Sequence, residues 1–195
     1  AEVAVRANVN AHVQHDLTAK VTDKFYKYLN TGSLKGTPKT FQMALAMAKG
    51  SVENKFKNMH RTVTGVVGFA NVLDVAEYLG TANITIQNQY GFQYIKDFMG
   101  YNTIFLLSDG EIAKGKVIAT PVDNIVMYYV DPSDSDYAKA GLVYTAGEAS
   151  NLIGFHTQGN YTTAVSESFA ITGVTLFAEY LDGISVQTIT PGESV

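Results

Sequence analysis

Between Met59 and Thr62 the hydrophobic period of the chain changes, and no other feature limits the fold as much. Upstream, apolar residues recur at three- and four-residue steps; downstream, short runs rich in β-branched and aromatic residues alternate with turn formers. A chain that is helical first and strand-rich afterwards reads as α+β. Its clearest helix is Thr37 to Met59, TPKTFQMALAMAKGSVENKFKNM. Thr37 is expected to cap it by accepting an early backbone N–H, with Pro38 at the first helical position, where a missing donor is harmless. Phe41, Leu45, Ala48, Val52 and Phe56 make one apolar stripe, and Lys39, Lys49, Glu53, Lys55 and Lys57 fall mostly off it. At about 1.5 Å per residue the helix would run roughly 30 Å, with Gly50 a tolerated weak point. It is expected to serve as a spine for the fold.

Ahead of it, Val9, Val13, Leu17, Val21, Phe25 and Leu29 recur every four residues, predicting a helix capped by Asn8 or Asn10 and ending at Asn30-Thr31-Gly32. A loop through Gly36 then leads to the spine. Past residue 60, Thr62 to Phe69 reads as a buried strand, and Asn71 as the cap of a short helix that turns Val72, Val75, Ala76 and Leu79 inward and stops at Gly80. Asn83 to Gln87 reads as a strand, Phe92 to Met99 as a weak helix or turn, and Thr103 to Leu107 as a strand ending at Asp109-Gly110. Gly115 to Thr120 and Asn124 to Val130 follow as strands. The run Asp131 to Asp136 is the plainest loop and a candidate boundary. Its carboxylates lack the spacing, glycine and terminal glutamate of a calcium loop. Five more strands are expected: Leu142 to Thr145, Leu152 to Thr157, Tyr161 to Phe169, Gly173 to Tyr180 and Ile184 to Ile189. Hairpin turns are expected at Gln158-Gly159-Asn160 and Asp182-Gly183.

Composition narrows the function. The 195 residues are 46% hydrophobic, enough for one large or two small domains, but only 16% charged, with 12 Tyr and 10 Phe. Sparse charge with many tyrosines suits contact surfaces, and equally suits a Tyr-rich β protein. A net charge of −4 argues against a dedicated nucleic-acid binder. Absence of cysteine removes thiolate chemistry and disulfides. No window has the length of apolar sequence that a membrane span needs, and no basic-then-apolar leader opens the chain. Starting at Ala1, the sequence reads as a processed or excised piece of something longer.

Groups capable of chemistry do not assemble into a recognisable motif. Asp74 and Glu77, three apart on one helix face, could pair as acid and base, but read better as a solvated face. His60 beside Arg61, and His156, lack a nucleophile elbow or a carboxylate orienter in register. His12 and His15 have a metal-pair spacing without a third ligand, and read as surface residues. Gly65 and Gly68 make half a dinucleotide fingerprint and read as close-packing positions. Asn83-Ile84-Thr85 and Asn160-Tyr161-Thr162 match the glycosylation triplet, a pattern common by chance. No catalytic, cofactor or metal residue is assigned.

Three stretches carry a resemblance. LNTGSLKGTPKTFQMALAMAKGSVENKF (29–56), the span from TVTGVVGFANVLDVAEYLG to NIVMYYVD (62–131), and GFHTQGNYTTAVSESFAITGVTLFAEYLDGISVQTI (154–189) together resemble the major capsid proteins of tailed bacteriophages. They resemble especially those of siphophages or prophages of Gram-positive hosts, which share the Hong Kong 97-like fold. Asn71 to Leu79 is the most telling piece. The resemblance implies an N-terminal helix and spine helix of a peripheral domain at 1–61, an axial domain at 62–141, and closing strands, mostly peripheral, at 142–195. It implies a non-enzymatic subunit that builds an icosahedral head from hexamers and pentamers around double-stranded DNA. Implied partners are copies of itself, with scaffolding, portal or decoration proteins, no specific nucleic-acid site and no membrane. The implied location is the virion capsid, and the host cytoplasm during assembly. Members of that family carry an N-terminal arm and an extended loop ahead of the helix corresponding to residues 9–30, and this sequence starts too late to hold both. Two other classes remain open: a surface adhesion or carbohydrate-binding module, suggested by the tyrosines and late strands, and a hydrolase using Asp74, Glu77 or His60.

Overall fold

A strand that is buried at every position needs cover on both faces, and Val66–Asn71 (β2) is such a strand. In the computed structural model, which describes residues 2–80, 86–89, 92–131, 134–139, 145–147, 150–160 and 162–190, β2 is the middle of a mixed seven-stranded sheet. The order is β1 (Leu34–Gly36), β12 (Ser185–Thr188), β6 (Lys116–Pro121), β2, β5 (Tyr101–Leu107), β4 (Phe92–Phe98) and β3 (Gln87–Gln89). β2 runs parallel to β5, with Phe69 opposite Phe105, and antiparallel to β6; β1 closes one edge parallel to β12.

Helix α2 (Phe41–Asn58) covers one face. Its buried residues Ala44, Leu45, Ala48, Val52 and Phe56 are the expected stripe with Ala44 added and Phe41 half-buried, and they pack with Val66, Ala70, Ile104 and Val117. The Tyr101 hydroxyl donates a hydrogen bond to the Leu45 carbonyl at 2.7 Å, tying β5 to the helix. Gly68 allows this approach: a Cβ there would lie 3.0 Å from the Tyr101 ring. By alternation, Phe69 points the other way. Its ring meets Phe25 and Tyr26 edge-on at 6.2 and 6.0 Å and stacks on Phe105 at 5.6 Å. Burial pushes the Tyr26 phenol up to about 12, with a further push from the Glu111 carboxylate.

Several expectations need correcting. Thr40, not Thr37, caps α2, its hydroxyl accepting the Met43 N–H at 3.2 Å. Pro38 is held out of the helix because its carbonyl accepts the Thr190 N–H at 2.9 Å. At 18 residues α2 is shorter than α1 (Glu2–Leu29), which has 28. α1 starts ahead of Asn8 and Asn10, so neither caps it; the stretch before them holds no Gly or Pro to stop a helix. Residues 34–36, expected as loop, form β1. Phe92 to Phe98 is a strand rather than a helix or turn, because Tyr94 and Ile95 are buried opposite Phe105 and Ile104. Its hairpin with β5 turns at Met99 and Gly100, both at positive φ (52° and 78°), the geometry of a type I′ turn.

The chain falls into two units: Phe25–Val126 with Phe177–Val195, and Ala1–Lys24 with Met127–Leu176. The first holds the seven-stranded sheet, α2 and α3 (Val72–Leu79). The second holds a three-stranded antiparallel sheet in the order β10 (Val165–Thr172), β9 (Ser150–Asn160), β8 (Thr145–Gly147), and the short helix α4 (Ser135–Lys139). α1 and the paired strands β7 (Ile125–Tyr129) and β11 (Val174–Ala178) each begin in one unit and end in the other. The expected boundaries at 61/62 and 141/142 do not coincide with these limits, because α2 packs on the sheet formed by residues downstream of it.

Strand β9 continues through Gln158 to Asn160, which pair with Glu167 to Val165, so the expected hairpin turn there is displaced to residues after 160, where Ala164 has a positive φ of 53°. Asp182-Gly183 belongs to a 3-10 turn between β11 and β12, strands that pair with other partners, and is not a hairpin. Residues 83–85, 132–133 and 141–144, on which part of the expected strands and loop fall, lie outside the described residues.

Candidate interaction surface

In the smaller unit the register of β10 on β9 sets one row of side chains against another. Val165, Glu167, Phe169 and Ile171 alternate along β10 and stand opposite Asn160, Gln158, His156 and Gly154. Val165, Phe169 and Ile171 are 52%, 48% and 37% exposed, unusual values for three large apolar residues on one strand face. His156 stacks on Phe169 with ring centroids 6.4 Å apart, and Gln158 donates to the Glu167 carboxylate at 2.9 Å. β10 is an outer strand of its sheet, and among the described residues it has β9 on one side and no strand on the other. In the same unit Tyr128, Tyr129 and Val130 stand exposed beside Gly173, Val174 and Thr175, lining an open groove of about 340 Å³. The Val130 N–H donates to the Gly173 carbonyl at 2.8 Å.

The larger unit adds Met43 and Met47, four residues apart on the outer side of α2 and both more than 40% exposed. It also has a cleft of about 280 Å³ lined by Phe56, Arg61, Asp123, Asn124, Glu179 and Tyr180. Arg61 lies over the Tyr180 ring at 4.4 Å. Asn124 is buried and fully used: its amide donates to the Thr120 hydroxyl and the Tyr180 carbonyl, both at 3.0 Å, and its carbonyl accepts the Tyr180 N–H at 2.8 Å.

The chemically capable residues are dispersed. His60 is exposed with a positive φ of 56°, and His12 and His15 are exposed on α1. His15 lies 3.5 Å from Asp16. Gly65, like Gly68, is a point of close approach, a Cβ there falling 2.5 Å from the Asn102 side chain. Among the described residues no three His, Asp or Glu side chains converge as metal ligands.

Asp74 and Glu77 differ from expectation. Glu77 is exposed and pairs with Lys114 at 2.6 Å, whereas Asp74 is buried and accepts the Gly115 N–H at 2.7 Å. Burial raises the Asp74 carboxyl above its ordinary value, against the lowering effect of the Gly115 bond and Lys114; Glu77 and Asp109 push it further up. The two carboxylates are therefore not one solvated face. Asp74 clamps the 108–115 loop to α3, together with Asn71. Asn71 caps α3 through the Leu73 N–H at 2.8 Å, and its amide donates to Asp109 at 2.6 Å and to the Ile112 carbonyl at 2.8 Å. Its capping role is legible in sequence; the loop clamp, with partners 38 and 41 residues away, is not.

No protein-family model matches this sequence, and neither does any curated protein. Among solved structures, the chain is similar to one in the satellite phage P4 procapsid including size determination (Sid) protein, with a TM-score of 0.40 and 10% identity. The overlap covers 83% of this chain and 42% of that one, so this chain spans less than half of its neighbour's length. Likeness at that level assigns neither fold nor function. Among the described residues, no helix is long and apolar enough to cross a membrane.

Proposed function

We propose that this chain is a self-associating structural subunit of a phage head, with the Hong Kong 97-like fold its three stretches resemble. The observation that carries the reading is the row of exposed apolar side chains in the smaller unit, Val165, Phe169 and Ile171, with Tyr128, Tyr129 and Val130. Large apolar groups left on the surface of a protein mark contact sites. Here they coincide with a surface poor in charge and with chemically capable residues that do not converge. In this reading the chain acts by contact rather than by catalysis, and encloses double-stranded DNA without a specific nucleic-acid site.

In that reading residues 1–61, with the N-terminal helix and α2 as the spine helix, belong to the peripheral domain, residues 62–141 form the axial domain that faces the axes of hexamers and pentamers, and residues 142–195 supply closing strands, mostly of the peripheral domain. Head-to-tail rings of this kind require two different complementary edges on each subunit. Scaffolding, portal and decoration proteins are further partners, and the chain belongs in the virion after assembly in the host cytoplasm.

Sedimentation velocity across protein and salt concentrations, with negative-stain imaging of fast fractions, tests this. Rings or shells are the expected result. A chain that stays monomeric under every condition counts against it.

A further inference from the structure

In the larger unit, the cleft of about 280 Å³ has firmly held walls whose charges are not matched to one another. α2 ends there in a Schellman turn: His60, at φ 56°, donates its N–H to the Lys57 carbonyl, and the Arg61 N–H returns to the Phe56 carbonyl at 2.9 Å. This fixes the Arg61 backbone to the residue whose ring floors the cleft. Phe56 is buried and meets the Tyr180 ring edge-on at 6.0 Å, while the Arg61 guanidinium lies over that same ring. Gly183 makes the space for Phe56, since a Cβ there would fall 2.5 Å from the phenyl ring. Asn124 accepts the Tyr180 N–H and donates to the Tyr180 carbonyl, tying the 3-10 turn Val122–Asn124 to the one at Leu181–Gly183.

Asp182, which is not part of the lining, is already paired with Lys55 at 2.6 Å. The lining charges are not. Arg61, Asp123 and Glu179 are all exposed, and among the described residues no ion pair joins Arg61 to either carboxylate. Asp123 accepts the Thr64 hydroxyl. Volume sets the size of what enters: pockets for whole drug-sized molecules run from about 300 Å³ upward, so this one takes one or two side chains. Charge sets their kind. An anion drawn to Arg61 meets Asp123 and Glu179, and a cation drawn to those carboxylates meets Arg61. A group that brings both signs satisfies all three.

We propose that this cleft docks a segment of another protein that presents a carboxylate and a Lys or Arg side chain together. The carboxylate takes the edge of the Arg61 guanidinium in a two-pronged bond, and the cation pairs with Asp123 and Glu179. Because the Arg61 plane already rests on Tyr180, its donors are held in place before the segment arrives, which lowers the ordering cost of binding. Val122 and Leu181, 44% and 41% exposed on the same two turns, add apolar area beside an arginine and a tyrosine, the residue types that dominate contact energies. The proposal does not rest on the self-association reading.

In an extended segment, side chains two residues apart share a face about 7 Å apart, so the blocked tripeptides Glu-Gly-Lys and Lys-Gly-Glu serve as probes, with Glu-Gly-Glu, Lys-Gly-Lys and Gln-Gly-Gln as controls. Titrated at low salt into the isotope-labelled chain and followed by NMR, at least one mixed-charge peptide should shift the Arg61 Nε–H and Asn124 amide signals saturably. It should bind at least about ten times more tightly than each control. Arg61→Gln and Asp123→Asn should each weaken that binding about tenfold. Lys96→Gln, which removes an exposed cation that also rests on a tyrosine ring, Tyr94 at 5.6 Å, should leave it unchanged. All three substitutions are at exposed positions, and backbone amide signals away from the cleft check that the fold is kept. Glu-Gly-Glu binding as tightly as the mixed peptides would reduce the cleft to an anion site, Lys-Gly-Lys doing so would reduce it to a cation site, and either result overturns the proposal. So does the lack of any saturable shift at Asn124 up to about 10 mM peptide.

Discussion

The two sheets of this chain solve opposite problems. In the seven-stranded sheet, β2 is buried along its whole length between α2 on one face and the Phe25–Tyr26–Phe105 rings on the other. In the three-stranded sheet, β10 leaves Val165, Phe169 and Ile171 between about a third and a half exposed, and its outer edge has no strand among the described residues. Both use the same residue types. What differs is the cover: α2 packs over one face of β2, whereas the apolar row of β10 stays exposed. One sheet completes its core within the chain; the other leaves apolar side chains exposed.

Truncations of similar size should therefore have very different effects. Leu45→Ala removes a fully buried side chain at the centre of the α2 face and should destabilise the larger unit by about 2–5 kcal/mol. Phe169→Ala, though it removes more atoms, should change the stability of the isolated chain by about 0.5 kcal/mol or less. Urea unfolding of both variants, followed by circular dichroism, makes the comparison. Equal losses would mean that the β10 row is core, and would remove the basis for the contact surface.

A smaller effect distinguishes the clamp from the cap. Asn71→Ala should cost roughly 2 kcal/mol, because the loss of an N-cap is compounded by a buried Ile112 carbonyl left without its donor. Asn71→Ser restores a capping oxygen but not the amide donor. If Ser recovers all of the stability, the loop contacts contribute nothing. Tyr101→Phe should cost about 1 kcal/mol, the worth of one buried hydroxyl bond to the Leu45 carbonyl.

These residues also show what the sequence could and could not reveal. Local chemistry was readable: the period change near residue 60, the stripe of α2, Asn71 as a cap and the β-branched run of β2 each depend on neighbours a few residues away. What failed depended on distant partners. Phe92 to Phe98 has a mixed local pattern and becomes a strand because β5 supplies Phe105 and Ile104 opposite it. Thr37 has the chemistry of a cap, yet Pro38 is diverted by a bond to Thr190. Gln158-Gly159-Asn160 has the composition of a turn but is held extended by the residues of β10. Asp74 has the spacing of a solvated carboxylate and is buried because the loop ending at Gly115 folds over it. The exposed β10 face had no separate signal, since a strand rich in Val, Phe and Ile reads alike whether it is covered or not.

The smallest expected effect is the pH response of that buried carboxylate. Burial holds the folded Asp74 carboxyl above its ordinary value of 3.8, so folding favours the protonated form. The stability that Asp74 contributes is thus fully present below that ordinary value, and is lost as pH rises through the raised folded value. This is opposite in sign to a carboxylate held by an ion pair. Asp74→Asn, which keeps the shape and cannot ionise, should flatten the decline in stability of the parent chain over the acid range, while Glu77→Gln on the exposed turn beside it should leave that slope in place. Urea midpoints at closely spaced acid pH values read the difference. A steeper decline in Asp74→Asn than in the parent would mean that the Gly115 N–H and Lys114, rather than burial, govern the group, and that the loop is held by charge.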